Sequence, residues 1–343
     1  MLLRLITALL ALLLVVTPLL ATYSDETGVP DTSVVGETGT GSAPIERPGA
    51  SDTTTPPPVS PDPREPDPSA PAPPAPSTPS TPPQPEGPPA PSSMAALGDS
   101  ITKGFNACGL YFDCEARSWS TGDSAEVSSH YVGLRELNPA IEGKNFNDAK
   151  SGAVAADMAG QAEQAVGQQV EYITLLVGAN DACRPSEGEM TPVSAYSDQI
   201  NTALTAIKSG LPSAKVFIAS IPDVKRVWET SRNNVAARTA WSVGSICQSM
   251  LANPTSDAPA DNERRDRVWQ RVVDYNTALA QLCSTYGPNC VFDGNAVFDH
   301  DFPARLLSNF DFFHPNGDGQ AELARITRAA GFQWSTSPDT VLA

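Results

Sequence analysis

Residues 94–343 predict an α/β fold, a mainly parallel sheet lying between two layers of helices. Three observations lead there. Short apolar runs such as Glu171–Val177 and Val216–Ile221 are continuous rather than alternating, as strands buried on both faces require. Segments with helical spacing separate these runs, and strand–helix alternation builds parallel sheets covered on both sides. A breaker, Gly98, Gly178 or Pro222, closes each of the main runs.

The elements follow in order. Met94–Leu97 is an apolar run that meets the turn Gly98-Asp99-Ser100. Tyr131, Leu134 and Leu137 recur at helical spacing within Val127–Leu137, and Ala155–Val166 reads as a second helix. Glu171–Val177 is the next strand, followed by Gly178-Ala179-Asn180-Asp181 as a loop. Pro192–Ser209 is an amphipathic helix with proline at its start and Gly210 at its end. Val216–Ile221 is a strand stopped by Pro222, and residues 223–262 read as a polar, irregular insertion. Glu263–Tyr286 is a long helix, Cys290–Phe292 a short strand and Gly317–Ala330 a last helix. In such sheets, sites gather at the carboxyl ends of the strands.

The chain ahead of this domain has a different character. Residues 1–22 carry Arg4 and then a mainly apolar run from Leu5, the charge-then-hydrophobe order of an export signal. The small-x-small cleavage rule is broken at one position in both Leu19-Leu20-Ala21 and Ala21-Thr22-Tyr23. Two fates stay open, a cleaved signal or an uncleaved anchor, since about 17 apolar residues reach across a bilayer. Residues 23–93 are rich in Pro, Ser, Thr and Ala with almost no large apolar side chains. Such a stretch cannot bury enough surface to offset its chain entropy. It is expected to be a disordered linker with a reach on the order of 200 Å, serving as a stalk or a passive spacer.

Charge and cysteine content narrow the function classes. The chain of 343 residues carries a formal net charge of −17, and the linker alone holds ten acids against two arginines. The domain has no basic stripe, so nucleic acid is excluded as an expected partner. All six cysteines lie in the domain, and an even count behind an export signal implies disulfides. Close spacing favours Cys108–Cys114 and Cys283–Cys290, leaving Cys183–Cys247 to staple the insertion. Zinc is a weak rival, because no Cys-x-x-Cys pair or histidine cluster occurs. No cofactor is implied, and a monomer is expected.

Nucleophilic hydrolysis of an ester needs a hydroxyl, a base and donors for the developing oxyanion. Ser100, directly after a buried strand, would be held exposed on a tight turn. The base must come from His130, His300 or His314, the only histidines in the chain. His130 falls on a helix and reads as a surface or capping residue; His300 reads as an ordinary loop residue. His314 lies in Asp311-Phe312-Phe313-His314, where three-residue spacing lets the Asp311 carboxylate reach the imidazole and fix its tautomer. Gly152 has no side chain to obstruct approach to its N–H, and Asn180 can aim a side-chain amide. Taken singly, each is an ordinary turn residue.

The four blocks occur in the order Ser, Gly, Asn, Asp-x-x-His, and in this the sequence resembles the SGNH (GDSL) hydrolase superfamily over residues 94–330. The resemblance implies an SGNH, flavodoxin-like three-layer sandwich. It also implies Ser100 as nucleophile, the Ser100 and Gly152 N–H groups with Asn180 as oxyanion hole, and His314 as base oriented by Asp311. In some similar enzymes a backbone carbonyl orients the histidine instead. The stretches Ser118–Gly122, Ala149–Met158 and Ile173–Cys183 look closest to the phospholipase B-like branch. Secreted actinobacterial esterases and lipases with three disulfides are a second similarity. The expected activity is ester hydrolysis on lipid or small-molecule substrates. Polysaccharide acetyl esterase is the enzymatic alternative, and a silent surface binding module the non-enzymatic one. Phe105, Tyr111, Phe112, Trp119, Phe310, Phe312 and Phe313 either line an acyl groove or belong to the core.

Overall fold

Five strands run parallel in the order β2-β1-β3-β4-β5: β1 Met94–Gly98, β2 Asn145–Asn147, β3 Tyr172–Leu176, β4 Lys215–Ile218 and β5 Cys290–Phe292. The structure is a computed structural model and describes residues 87–336. The expected export segment 1–22 and the linker up to residue 86 lie outside the described residues. Residues 87–93 do not continue the linker as expected. They pack on the domain: Pro89 bridges Ser335, Ala90 is buried, and Asn138 Nδ2 donates to the Ala90 carbonyl at 2.9 Å.

Both faces of the sheet are covered, which explains why its strands lack polar alternation. Ala95, Leu97, Ile173, Leu175, Val216 and Ile218 point into one core. That core is closed by α2 (Met158–Gln168), α4 (Val193–Gly210) and α8 (Pro259–Tyr286). Met94, Tyr172, Leu176 and Phe217, the alternate residues, face a second core under α1 (His130–Leu137) and α9 (Gly317–Ala330). The predicted three-layer α/β/α architecture is the one observed.

Three features depart from the sequence reading. β2, absent from that reading, is a three-residue strand paired with β1 at Ala95–Phe146, too short and too polar to register as an apolar run. Asn180 lies in a one-turn helix, α3 (Ala179–Ala182), rather than in a loop. Residues 223–262 are largely helical: α5 (Val224–Ser231), α6 (Val235–Val243) and α7 (Gln248–Leu251) precede α8, which begins at Pro259 rather than Glu263. Asp223 accepts from Lys225 N and Asn234 from Ala236 N, capping α5 and α6. Their inner faces deliver Trp228, Ala237, Trp241 and Met250 to the first core. The insertion is part of the packing.

All three disulfides form in the expected pairing. Cys183–Cys247 spans 64 residues, against 6 and 7 for the others. A longer closed loop removes more entropy from the unfolded chain, here about 4 kcal/mol. Replacing Cys183 and Cys247 by serine should therefore lower the unfolding free energy by about that much, roughly twice the effect at either short loop. Urea titration of the variants measures the ordering; equal losses at all three would contradict it.

Candidate active site

The nucleophile turn is built at the carboxyl end of β1. Gly98 has φ +155°, and a Cβ there would lie 2.4 Å from the Leu176 carbonyl oxygen, so only glycine lets the chain leave the sheet this closely. Gln161 on α2 clamps the turn from beneath, accepting from Gly98 N at 2.7 Å and donating to Gly98 O at 2.9 Å. Ser100 follows, with its N–H free of any hydrogen bond among the described residues.

His314 arrives from a loop ahead of α9, 214 positions further along the chain. Its Nε2 lies 2.7 Å from Ser100 Oγ. Its Nδ1 lies 2.6 Å from Asp311 Oδ2. A carboxylate accepting at Nδ1 keeps the ring proton on that nitrogen, leaving Nε2 as the acceptor facing the hydroxyl. Asp311 is 1% exposed, yet its charge is well supported. Oδ1 accepts from Phe313 N at 3.0 Å and His314 N at 3.1 Å, and Oδ2 accepts from Asn106 Nδ2 at 2.7 Å. The carboxylate itself, not a backbone carbonyl, contacts the imidazole. The Phe105 ring meets the His314 ring edge-on at 4.9 Å.

Gly152 and Asn180 lie at the ends of β2 and β3. Gly152 is exposed, has φ +84° and has open space where a Cβ would stand; its N–H too is unengaged among the described residues. Asn180 Nδ2 donates to Ala153 O at 3.0 Å, which joins the two turns and leaves its second N–H available. Asp181 Oδ2, accepting from Ala155 N at 2.9 Å, ties the same turns together. Free donors beside a hydroxyl–imidazole–carboxylate chain can support acyl transfer.

The remaining histidines stand apart. His130 is not a surface residue. It is buried, bonded to Thr327 Oγ1 and to the Tyr172 hydroxyl, each at 2.9 Å, at the amino end of β3. Burial, helped by Arg328, lowers its pKa to about 3, so it stays neutral. Ser129, not His130, caps α1, accepting from Val132 N. His300 pairs with Glu322 at 3.0 Å.

The aromatic residues divide. Trp119 is core, fully buried. Phe313 lines an apolar groove with Ile101, Ala179, Val224, Val227 and Leu323. Three of these, Ile101, Ala179 and Phe313, are the chain neighbours of Ser100, Asn180 and His314. Tyr111, Phe112 and Phe310 are exposed outside it. Sequence reasoning missed Asn106 and Gln161. Asn106 sits in the left-handed region at φ +68°, where Asn is favoured, but nothing local marks a partner 205 positions away.

Asp99 carries an electrostatic load. It is buried, Oδ1 accepts from Ile101 N at 2.9 Å, and Oδ2 has no partner. Desolvation, with help from the Asp181 charge, raises its pKa from 3.8 to about 7. The folded state then holds a proton that the unfolded chain has already released, so stability falls as pH rises from about 4 to about 7. The full effect is on the order of 4 kcal/mol. Asp99→Asn should flatten the decline of the urea midpoint between pH 5 and pH 8; an unchanged decline would contradict this.

The GDSL-like lipase/acylhydrolase family matches residues 96–322. No curated protein matches the chain. Among solved structures, the extracellular lipase of Streptomyces rimosus is 16% identical with a TM-score of 0.40, covering 70% of this chain and 99% of its own. Phospholipase A1 of Streptomyces albidoflavus is 16% identical with a TM-score of 0.42, over 70% and 99%. A carbohydrate esterase family 2 enzyme from Corynascus thermopiles (Myceliophthora fergusii) is 13% identical with a TM-score of 0.41, over 74% and 68%.

Proposed function

Because the chain belongs to the GDSL-like lipase/acylhydrolase family, we propose that it is a secreted lipolytic serine esterase working through an acyl-enzyme on Ser100. The observation that carries the reading is the continuous chain from Ser100 Oγ through His314 to Asp311, with contacts of 2.7 Å and 2.6 Å. Ser100 attacks the ester carbonyl as His314 Nε2 takes its proton. The imidazolium is stabilised by Asp311 and returns the proton to the departing alcohol. Water, deprotonated by the same imidazole, then releases the acid and restores Ser100.

In this reading the oxyanion is held by the Ser100 and Gly152 N–H groups and the second Asn180 N–H. Asn180→Ala should lower kcat about 10²–10³-fold with little change in KM, as expected for a donor engaged mainly in the transition state. A loss confined to KM would contradict that role. The acyl chain lies in the groove beside Ile101 and Phe313, whose lining is almost wholly apolar apart from Asp223 and Arg226. That groove is the ground for a lipid ester rather than an acetylated polysaccharide. Three disulfides support an oxidising, extracellular setting. Residues 1–22 then serve as export signal or anchor, residues 23 to about 86 as linker, and the domain acts as a monomer.

The test is a panel of p-nitrophenyl acyl esters beside a phospholipid and an acetylated xylan. The proposal expects kcat/KM to rise from acetyl to medium acyl chains and expects turnover of the phospholipid. Turnover of acetylated xylan alone would establish the acetyl esterase instead, and no turnover of any ester would leave a binding module.

A further inference from the structure

The largest exposed apolar side chains are, for the most part, not scattered. Among the described residues they are Leu110, Tyr111, Phe112, Val235, Val243 and Phe310, and four of the six lie either on the loop after the nucleophile turn or on the histidine loop itself. Leu110, Tyr111 and Phe112 are 55%, 57% and 48% exposed, and Phe310, beside Asp311, is 48% exposed. The two valines stand apart on helix α6. Apolar side chains held out consecutively on one loop, as Leu110, Tyr111 and Phe112 are, mark an interaction surface.

The loop bearing three of them is built to hold them outward. Cys108–Cys114 closes it, and Asn106 N donates across it to Phe112 O at 3.0 Å. It is also coupled to the site. Tyr111 packs edge-on against Phe105 at 5.0 Å, and Phe105 packs against His314. At its other end, Asp113 accepts from the Ser151 hydroxyl, next to Gly152. The loop therefore spans from the nucleophile turn to one of the proposed oxyanion donors.

The chemistry of this rim selects its partner. Residues 104–114 carry only Asp113, which is engaged by the Ser151 hydroxyl, and residues 306–317 only Asp311 and His314, in a chain of net charge −17. A rim with no cationic side chain on an acidic protein suits an uncharged or zwitterionic surface and disfavours an anionic one. Aromatic rings alone would also suit a sugar face, but Leu110 stacks on nothing and gains only from leaving water.

We propose that the cystine-closed loop Cys108–Cys114, with Phe310 beside it, docks the protein on a neutral or zwitterionic lipid–water interface. Ester groups of aggregated lipid then reach Ser100 directly from that surface. The inference deepens the esterase reading and rests on it for the second step only. Leu110 and Phe112 touch neither the groove nor the catalytic chain, so their loss leaves soluble substrates unaffected.

The test uses the full chain and its Leu110→Ser/Phe112→Ser variant. Hydrolysis of phosphatidylcholine vesicles should fall at least tenfold in the variant, while hydrolysis of soluble p-nitrophenyl butyrate stays within twofold. Hydrogen exchange across residues 108–114 should slow when phosphatidylcholine vesicles are added to the parent chain, and slow less with phosphatidylglycerol vesicles. Equal losses on both substrates, or no loss on either, would overturn the proposal. So would protection of the loop by acetylated xylan but not by vesicles, or a dimer in light scattering that dissociates in the variant. If the parent hydrolyses no ester yet the vesicles protect the loop, docking stands and the esterase reading falls.

Discussion

Ser100→Ala should lower kcat on a soluble ester about 10⁶-fold, and His314→Ala should do the same. The size follows from what each group does. Without Oγ no acyl-enzyme forms; without the imidazole the hydroxyl, a poor nucleophile at its ordinary pKa, is not activated. The two act as one unit at 2.7 Å, so the double variant should be about as impaired as either single one. Multiplied losses in the double variant would show that the residues work independently. Any remaining rate would come from the oxyanion donors and the groove, which neither substitution touches. Initial rates on p-nitrophenyl butyrate measure this, with near-full activity in Ser100→Ala excluding the assignment.

Asp311→Asn should cost about 10⁴-fold in kcat with little change in KM. The substitution preserves shape and reverses hydrogen-bond polarity. An amide N–H facing Nδ1 would place the ring proton on Nε2, where it points at Ser100 and removes the acceptor. Asn106 adds a second conflict, since its Nδ2 already donates to Asp311 Oδ2 at 2.7 Å. Asp311→Glu retains the charge and should recover part of the loss. A tenfold loss or less in Asp311→Asn would mean that a group other than the carboxylate orients the imidazole.

The architecture was legible because its signals are local. A strand buried on both faces has little choice but to be apolar throughout, and β3 and β4 announce themselves that way. The paired spacing of Asp311 and His314 was legible for the same reason, since three residues fit within one loop. What stayed hidden depends on distance or on shortness. Asn106 and Gln161 are tied to their partners only after the chain has folded. The short helices α5, α6 and α7 show too few turns for their period to be seen, although their caps Asp223 and Asn234 were present in the sequence. His130 was misread because a helix start ordinarily faces solvent; here Thr327 and Tyr172 arrive from elsewhere in the chain to satisfy both ring nitrogens.

Reaction with a fluorophosphonate, followed by peptide mass mapping, puts the pairing of Ser100 with His314 to the most direct test. One adduct per chain is expected, on the peptide containing Ser100, absent in Ser100→Ala and strongly slowed in His314→Ala. An adduct on any other residue, or labelling that persists in Ser100→Ala, would contradict the account.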